Sequence, residues 1–213
     1  MTTNFDRLAQ MRALAQKQEQ NDYSNDTRLY SFYDNTVMPV GTSVKVRFIP
    51  DQDTDNIFFW KEKRMFNFEF AGTTDDPSKR VYVRVPCIKM FDKTKACPVL
   101  DHLQPLWNAG PEMEQLARKY YFKKTHVMQG ILVETPDGGF DSVENPSRIR
   151  VFDFGKQIFD KVYSFMNDVT EFKHSTDDLE NGTDFIITKT ERSGGKDQNG
   201  KPRKFNDYTT STY

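Results

Sequence analysis

Cysteine is nearly absent from this sequence. Its two residues, Cys87 and Cys97, are too few for a disulfide framework. Neither has another cysteine close enough for the paired spacing of a structural zinc site, so both are expected as free buried thiols. Long apolar runs are missing too. Nothing approaches the ~20 residues needed to cross a bilayer, and residues 1–20 carry Asp6 and Glu19 where a secretory signal would be apolar. The chain is therefore expected to be soluble and intracellular, with no membrane partner. Enzyme signatures are missing as well: there is no GxGxxG, no P-loop, no HExxH and no GxSxG. Gly194 and Gly195 precede Lys196 without P-loop spacing, and His102, His126 and His174 lie far apart with no nucleophile framed beside them. Carboxylates are abundant, which leaves a paired-acid hydrolase open, but nothing singles out a pair. No catalytic residue and no metal site is predicted. A net charge of -1 also withholds the usual overall sign of a polyanion binder.

That balance hides segregation. Acids gather at 51–55, at 112–114 and between Glu134 and Glu144, while 118–125 holds Arg118, Lys119, Lys123 and Lys124 with Tyr120, Tyr121 and Phe122 between them. Residues 80–85 read Arg, Val, Tyr, Val, Arg, Val. Successive side chains of a strand alternate between faces, so Val81, Val83 and Val85 are expected to enter a core while Arg80, Tyr82 and Arg84 share the opposite face. Two guanidinium groups around a ring offer charge for phosphates and a π-face for a base. Taken alone, the segment reads equally well as a solvated strand whose ring covers apolar neighbours. The pattern recurs, however. In 147–154, Arg148, Arg150 and Phe152 fall on one face and Ile149 and Val151 on the other; in 44–48, Val44, Val46 and Phe48 separate from Lys45 and Arg47. Three basic strand faces in one chain point to a nucleic-acid surface.

At 213 residues, 36% of them hydrophobic, the chain can bury a full core as one domain with an insertion. Residues 1–27 read as an arm and linker: Phe5, Leu8, Met11 and Ala15 approach helical spacing and a polar stretch rich in Asn and Asp follows. So short a helix is marginal alone, so it is expected to fold fully only against a partner or a neighbouring copy, which opens a role in self-association. Residues 28–213 form the expected core, interrupted by a helical insertion at about 86–122. Within it, Glu112 to Phe122 is the better helix, with acids opening it and bases closing it as the helix dipole favours. Residues 125–133 read as a strand, 136–139 as a turn, 156–166 as a helix with Ile158, Phe159, Val162, Tyr163 and Met166 at helical spacing, and 185–189 as a strand. A mobile loop is expected over 194–202 and a final strand over 205–213. Five or six strands, a helix after the fourth or fifth and a helical insertion predict a mainly β chain with α insertions: an OB-fold, the five-stranded Greek-key barrel.

These residues also resemble a known family, the gene-32-type single-stranded DNA-binding proteins of T-even-like phages. VRFIP at 46–50 is similar to that family's first barrel strand, FGKQIFDKV at 154–162 to its strand-to-helix passage, and Lys123, Lys124 and Thr125 to its basic run followed by Ser or Thr. Residues 182–189 and 205–208 resemble its last two strands. The resemblance implies an OB-fold groove in which Arg47, Lys123 and Lys124 contact phosphates and Tyr82, Phe152, Phe205 and Tyr208 supply stacking or apolar surface. The residue patterns add Arg80, Arg84, Tyr121, Arg148, Arg150, Arg203 and Lys204, with Tyr120 and Tyr121 fitting the core equally well. Three features of the family are altered. Its zinc site uses one histidine and three cysteines; Cys87 and Cys97 match two, while Leu100 and Thr74 stand where the others are expected, so no zinc and no other cofactor is predicted. The N-terminal basic motif tied to cooperativity is not evident in residues 1–6. The acidic tail that recruits partners is not present, as in a shorter relative or a truncated piece.

The resemblance therefore implies a non-catalytic protein that coats single-stranded DNA in phage DNA replication, recombination and repair, in the cytoplasm of the infected host cell. Phage replication and recombination proteins are its implied partners. Two alternatives stand beside it: a metal-dependent nuclease or nuclease subunit built on the same barrel, and a protein-interaction module of a phage assembly.

Overall fold

The computed structural model describes residues 28–71, 80–139, 149–168, 170, 174–196 and 200–213. The arm and linker of 1–27, Thr74 and Arg148 lie outside these. Among the described residues eight strands and three α-helices follow in order: β1 (Ser43–Phe48), β2 (Trp60–Phe70), β3 (Val81–Pro86), α1 (Pro98–Leu103), α2 (Pro111–Tyr120), β4 (Lys123–Glu134), β5 (Arg150–Phe154), α3 (Lys156–Met166), β6 (Phe185–Thr188), β7 (Thr190–Lys196) and β8 (Pro202–Asp207). Two short 3-10 turns, Ile88–Met90 and Gln104–Asn108, flank α1.

The chain is mainly β and its strand ladders are antiparallel. Six strands make one sheet in the order β3-β2-β4-β1-β6 with β5 also on β4, and β7 and β8 form a separate two-stranded ribbon. This is one strand more than a five-stranded sheet, plus the ribbon. β4 is the hub because it is long enough to pair with β1, β2 and β5. Gly130 permits the crowding there: a Cβ would come within 2.6 Å of the Arg47 carbonyl oxygen.

Alternation in β1 works as its sequence predicts. Val44, Val46 and Phe48 are buried, joining Met128 and Leu132 of β4, Phe185 and Ile187 of β6, and Ile158 and Val162 of α3 in the main core. Helix α3 spans the predicted residues and lays its apolar stripe on that core. In α2, Glu112 and Glu114 occupy the first turn and Arg118 and Lys119 the last, complementing the dipole. A second, smaller core gathers Phe66, Cys87 and Cys97 under α1, with Phe68, Leu100 and Phe122 packed against it.

Two face assignments are corrected. Val81, Val83 and Val85 do not enter a core; each is more than a third exposed. Among the described residues β3 pairs only with β2, and its valines stand in register with Phe70, Phe68 and Phe66, of which the helical segment fully covers Phe66 alone. In β5 the expected outer face is the inner one. Phe152 and Phe154 are fully buried, because β5 places them opposite Met128 and His126 of β4, and two large rings gain more from burial than Arg150 gains from a fully solvated place. The final segment also differs: β8 ends at Asp207, and β7 runs through Lys196 into the expected loop.

Candidate nucleic-acid interface

β2 has uneven neighbours. Residues 60–65 pair with β4 and 65–70 with β3, on opposite edges, since Met65 faces both Lys123 and Pro86. Among the described residues no strand lies beside the β3-side edge of its first half, where the Arg64 carbonyl instead accepts from the Cys87 N–H at 2.9 Å and the Trp60 carbonyl from the Asn56 amide at 3.1 Å. Along this open edge runs a groove of about 880 Å³, between the 53–58 loop and the segment around Lys89 to Lys93, lined by Phe58, Trp60, Lys63, Arg64, Lys89 and Phe91 among others.

The groove is both basic and aromatic. Phe91 is 73% exposed, and Phe58 packs on Trp60 with ring centroids 4.7 Å apart. The Trp60 ring is braced from behind, edge-on, by Phe159 of α3 at 5.4 Å. Lys89 and Lys93 flank Phe91 and have no ion-pair partner among the described residues. Other cations are held by carboxylates: Lys61 by Asp51 and Asp53 at 3.3 and 3.0 Å, Lys63 by Asp153 at 2.6 Å, and Arg64 by Glu62. The Asn56 amide donates to Asp51 at 2.7 Å and, with Lys61, holds that carboxyl below its ordinary range. Burial pushes Glu62 up, but Lys124 and Arg64 outweigh it and keep its carboxyl low. An incoming phosphate would compete with these carboxylates for the same lysines, whereas Lys89 and Lys93 are already available.

The sheet face beside the groove carries part of the predicted site. Register puts Tyr82 opposite Glu69, Arg84 opposite Asn67 and Lys123 opposite Met65, so Tyr82, Arg84 and Lys123 share one face with Lys61 and Lys63. Tyr82 is 72% exposed and its hydroxyl donates to Glu69 at 3.4 Å; Arg80 meets the same carboxylate at 3.7 Å. Arg84 and Lys123 have no ion-pair partner among the described residues.

Other predicted residues lie elsewhere. Arg47 is tied to Asp184 at 2.6 Å and Lys124 to Glu62. Tyr121 packs between Trp107, at 5.7 Å, and Phe122, at 4.3 Å, in the helical segment. Arg150 lines a different hollow, with Tyr30, Val37, Leu132 and Asp137. Phe152 and Tyr208 cannot line a groove. Both are buried in the main core, where the Tyr208 hydroxyl donates to the Phe32 carbonyl at 3.3 Å, because the chain after β8 turns back against the Phe32 and Tyr33 rings. Arg203, Lys204 and Phe205 stand on the β7–β8 ribbon.

Sequence reasoning missed the groove's own Phe58, Trp60, Lys61, Lys63, Arg64, Lys89, Phe91 and Lys93. The interleaving of lysines with Phe91 over 89–93 is the same signal that singled out 118–125, but it sits where regular periodicity breaks down.

A family model described as gp32 DNA binding protein like matches residues 41–211. The chain belongs to that family. No curated protein matches it. Membership in a DNA-binding family accords with an exposed aromatic and unpaired cations on one groove and its adjoining sheet face.

The zinc implied by the resemblance meets an unsuitable donor set. The Cys87 and Cys97 sulfurs are buried 3.8 Å apart, but Leu100 packs against them as an apolar wall. Among the described residues no group of three His, Cys, Asp or Glu is arranged to hold a metal. Burial pushes the Cys87 thiol up. Burial acts the same way on Cys97, yet the N–H groups of Leu100, Ile88 and Val99, with the Cys87 thiol, outweigh it and lower its pKa. Among the described residues the two thiols thus supply two of the four donors that a structural zinc site needs.

Proposed function

We propose that this chain coats single-stranded DNA without reading its sequence, as a non-catalytic, cofactor-free protein of phage DNA replication, recombination and repair. The observation that carries the reading is the open edge of β2, with an exposed Phe91 between unpaired Lys89 and Lys93 and a basic sheet face continuing to Arg84 and Tyr82. Phosphates displace condensed counterions at the lysines, and bases stack on the ring, each stacked base adding about 1–3 kcal/mol. A duplex hides its base faces, so a ring-based groove prefers a single strand. The antiparallel sheet with α3 after β5 supports an OB-fold for residues 28–213, with the helical segment at about 86–122 as its insertion and 1–27 as a self-associating arm. Phage replication and recombination proteins as partners, and the cytoplasm of the infected host cell as the location, rest on family membership alone.

A nuclease reading loses ground because Asp53 and Glu62, two of the three acids lining the groove with Asp55, are engaged by Lys61, Lys124 and Arg64. Titration of oligo-dT at several salt concentrations tests the main reading. Affinity is expected to fall steeply with salt, with a slope of roughly -0.7 per phosphate neutralised. Replacing Lys89 and Lys93 by Gln is expected to flatten that slope by about 1.4, roughly 0.7 for each lysine, and Phe91→Ala to weaken binding at every salt. A duplex bound as tightly as the single strand, or an unchanged slope in the double variant, would overturn it.

A further inference from the structure

β3 is an edge strand with an unused side. Its 6 residues are all exposed, and among the described residues it pairs with β2 alone. The bond from the Cys87 N–H to the Arg64 carbonyl continues the register that carries β3 along β2. Alternation from that bonded pair makes Val85, Val83 and Val81 the residues that bond to Phe66, Phe68 and Phe70, and it leaves the N–H and C=O of Tyr82 and Arg84 on the outer edge. Pro86 closes this stretch, having no N–H to offer outward. Between Val81 and Val85 no proline interrupts the edge and no charge stands on its valine face, so it is a template for another strand.

The side chains on this edge complement a second copy of themselves. Antiparallel pairing of β3 with another β3 keeps both faces of the sheet continuous only when it is centred on a residue. Centred on Tyr82 it sets Arg80 against Arg84, and centred on Arg84 it sets that guanidinium against its twin; both are repulsive. Centred on Val83 it overlaps nearly the whole strand and sets Tyr82 opposite Arg84, Val81 opposite Val85 and Val83 opposite its twin. The outward backbone groups of each Tyr82–Arg84 pair then bond each other. Arg84 has no ion-pair partner among the described residues, whereas Tyr82 donates to Glu69. In this register the second copy's Arg84 stands in a row with the Tyr82 ring and the Glu69 carboxylate, opposite charges on either side of a π-face. We propose that this protein forms a twofold dimer by antiparallel pairing of β3 with β3 of a second copy, centred on Val83. The pairing joins both Tyr82 and Arg84 faces on one side of an extended sheet and both valine rows on the other. It needs no DNA, so it stands apart from the single-strand reading of the groove.

Cysteine cross-linking of the DNA-free full chain tests this, since an interface of one short strand is small and transient and has to be trapped. Across a twofold axis on Val83, that residue and its twin form a non-hydrogen-bonded pair with Cα atoms about 4.5 Å apart, within reach of a disulfide. Val81 and its twin lie about 14 Å apart, out of reach. Val81, Val83 and Val85 are 39, 38 and 37% exposed, so a difference between them reads position and not access. With the thiol oxidant diamide, Val83→Cys is expected to form a covalent dimer roughly tenfold faster than Val81→Cys or Val85→Cys alone. An equal mixture of the latter two is expected to cross-link one variant to the other. Cys87 and Cys97 are buried, so wild type is expected to stay uncross-linked. Val83→Lys, added to both members of the mixture, opposes two ammonium groups at the axis and is expected to abolish the mixed cross-link with the circular dichroism unchanged. Equal rates for the three single variants, which mark random collision, overturn the proposal, as does the absence of a covalent dimer in Val83→Cys. A mixed cross-link that survives Val83→Lys also overturns it. So does a mixture of Val81→Cys and Val83→Cys that links faster than Val83→Cys alone, because the axis would then lie on Tyr82.

Discussion

The ammonium of Lys189 donates to the Met38 carbonyl at 2.9 Å from a side chain with no exposed surface. Its other two N–H groups reach the carbonyls of Phe32 and Tyr33, each at 3.1 Å. Three donors meet three acceptors, so a buried charge is fully hydrogen-bonded and fixes the 28–42 segment to the junction of β6 and β7. Lys189→Met is expected to leave the Tyr33 and Met38 carbonyls without a donor, and Phe32 with the Tyr208 hydroxyl alone, and to cost about 3–5 kcal/mol, the scale for breaking a buried charged network. Urea unfolding measures it. A cost below about 1 kcal/mol would mean that water takes over the lost bonds.

His126 makes folding sensitive to acid. Its ring stacks on Phe159 at 3.3 Å and its Nδ1 is buried without a hydrogen-bond partner. Burial, then the nearby Lys124, lower its pKa from 6.5, while Glu62, Asp160 and Asp153 pull the other way. The folded protein thus binds fewer protons at this site than the unfolded chain, and stability falls as pH drops from about 6.5 toward the lowered value. Denaturation at pH 7.5 and 5.5 is expected to show this loss. In His126→Phe the loss is expected to shrink; an undiminished acid sensitivity would assign it to the carboxylates.

Phe152 and Tyr82 separate core from surface. Phe152→Ala removes a fully buried ring that contacts Tyr30 and Phe154 and is expected to cost about 3–5 kcal/mol of stability. Tyr82→Ala is expected to leave the melting temperature within error and to weaken DNA binding, by up to the ~1–3 kcal/mol of one stacked base. Thermal melts and oligo-dT titrations on both variants distinguish the two roles.

Much of the fold is legible from period alone. The alternation of Val44, Val46 and Phe48 and the helical spacing of Ile158 and Val162 each face one large buried surface, and the pattern has a single solution. Parity failed where two answers were available. In β5, Arg150 shares its face with Phe152 and Phe154, and only pairing beside Met128 decides that this face turns inward. In β3 the valines alternate correctly, but an edge strand lacks the second neighbour that would cover them.

The candidate site was legible in its chemistry and not in its location. Tyr82, Arg84 and Lys123 can be singled out from residue type, yet their sharing a face depends on register across three strands. Lys123 and Lys124 look alike in the chain; one is free because it faces outward beside Met65, and the other is held because it reaches Glu62. Sequence by itself determined the mainly β character, the α3 helix, the basic–aromatic composition of the surface and the family. Tertiary structure alone decided that β2 would be paired along only part of one edge, opening the groove beside Phe91. The physical reason is that a strand's period states which residues share a face, whereas the strands that flank it are set by contacts distant in the chain.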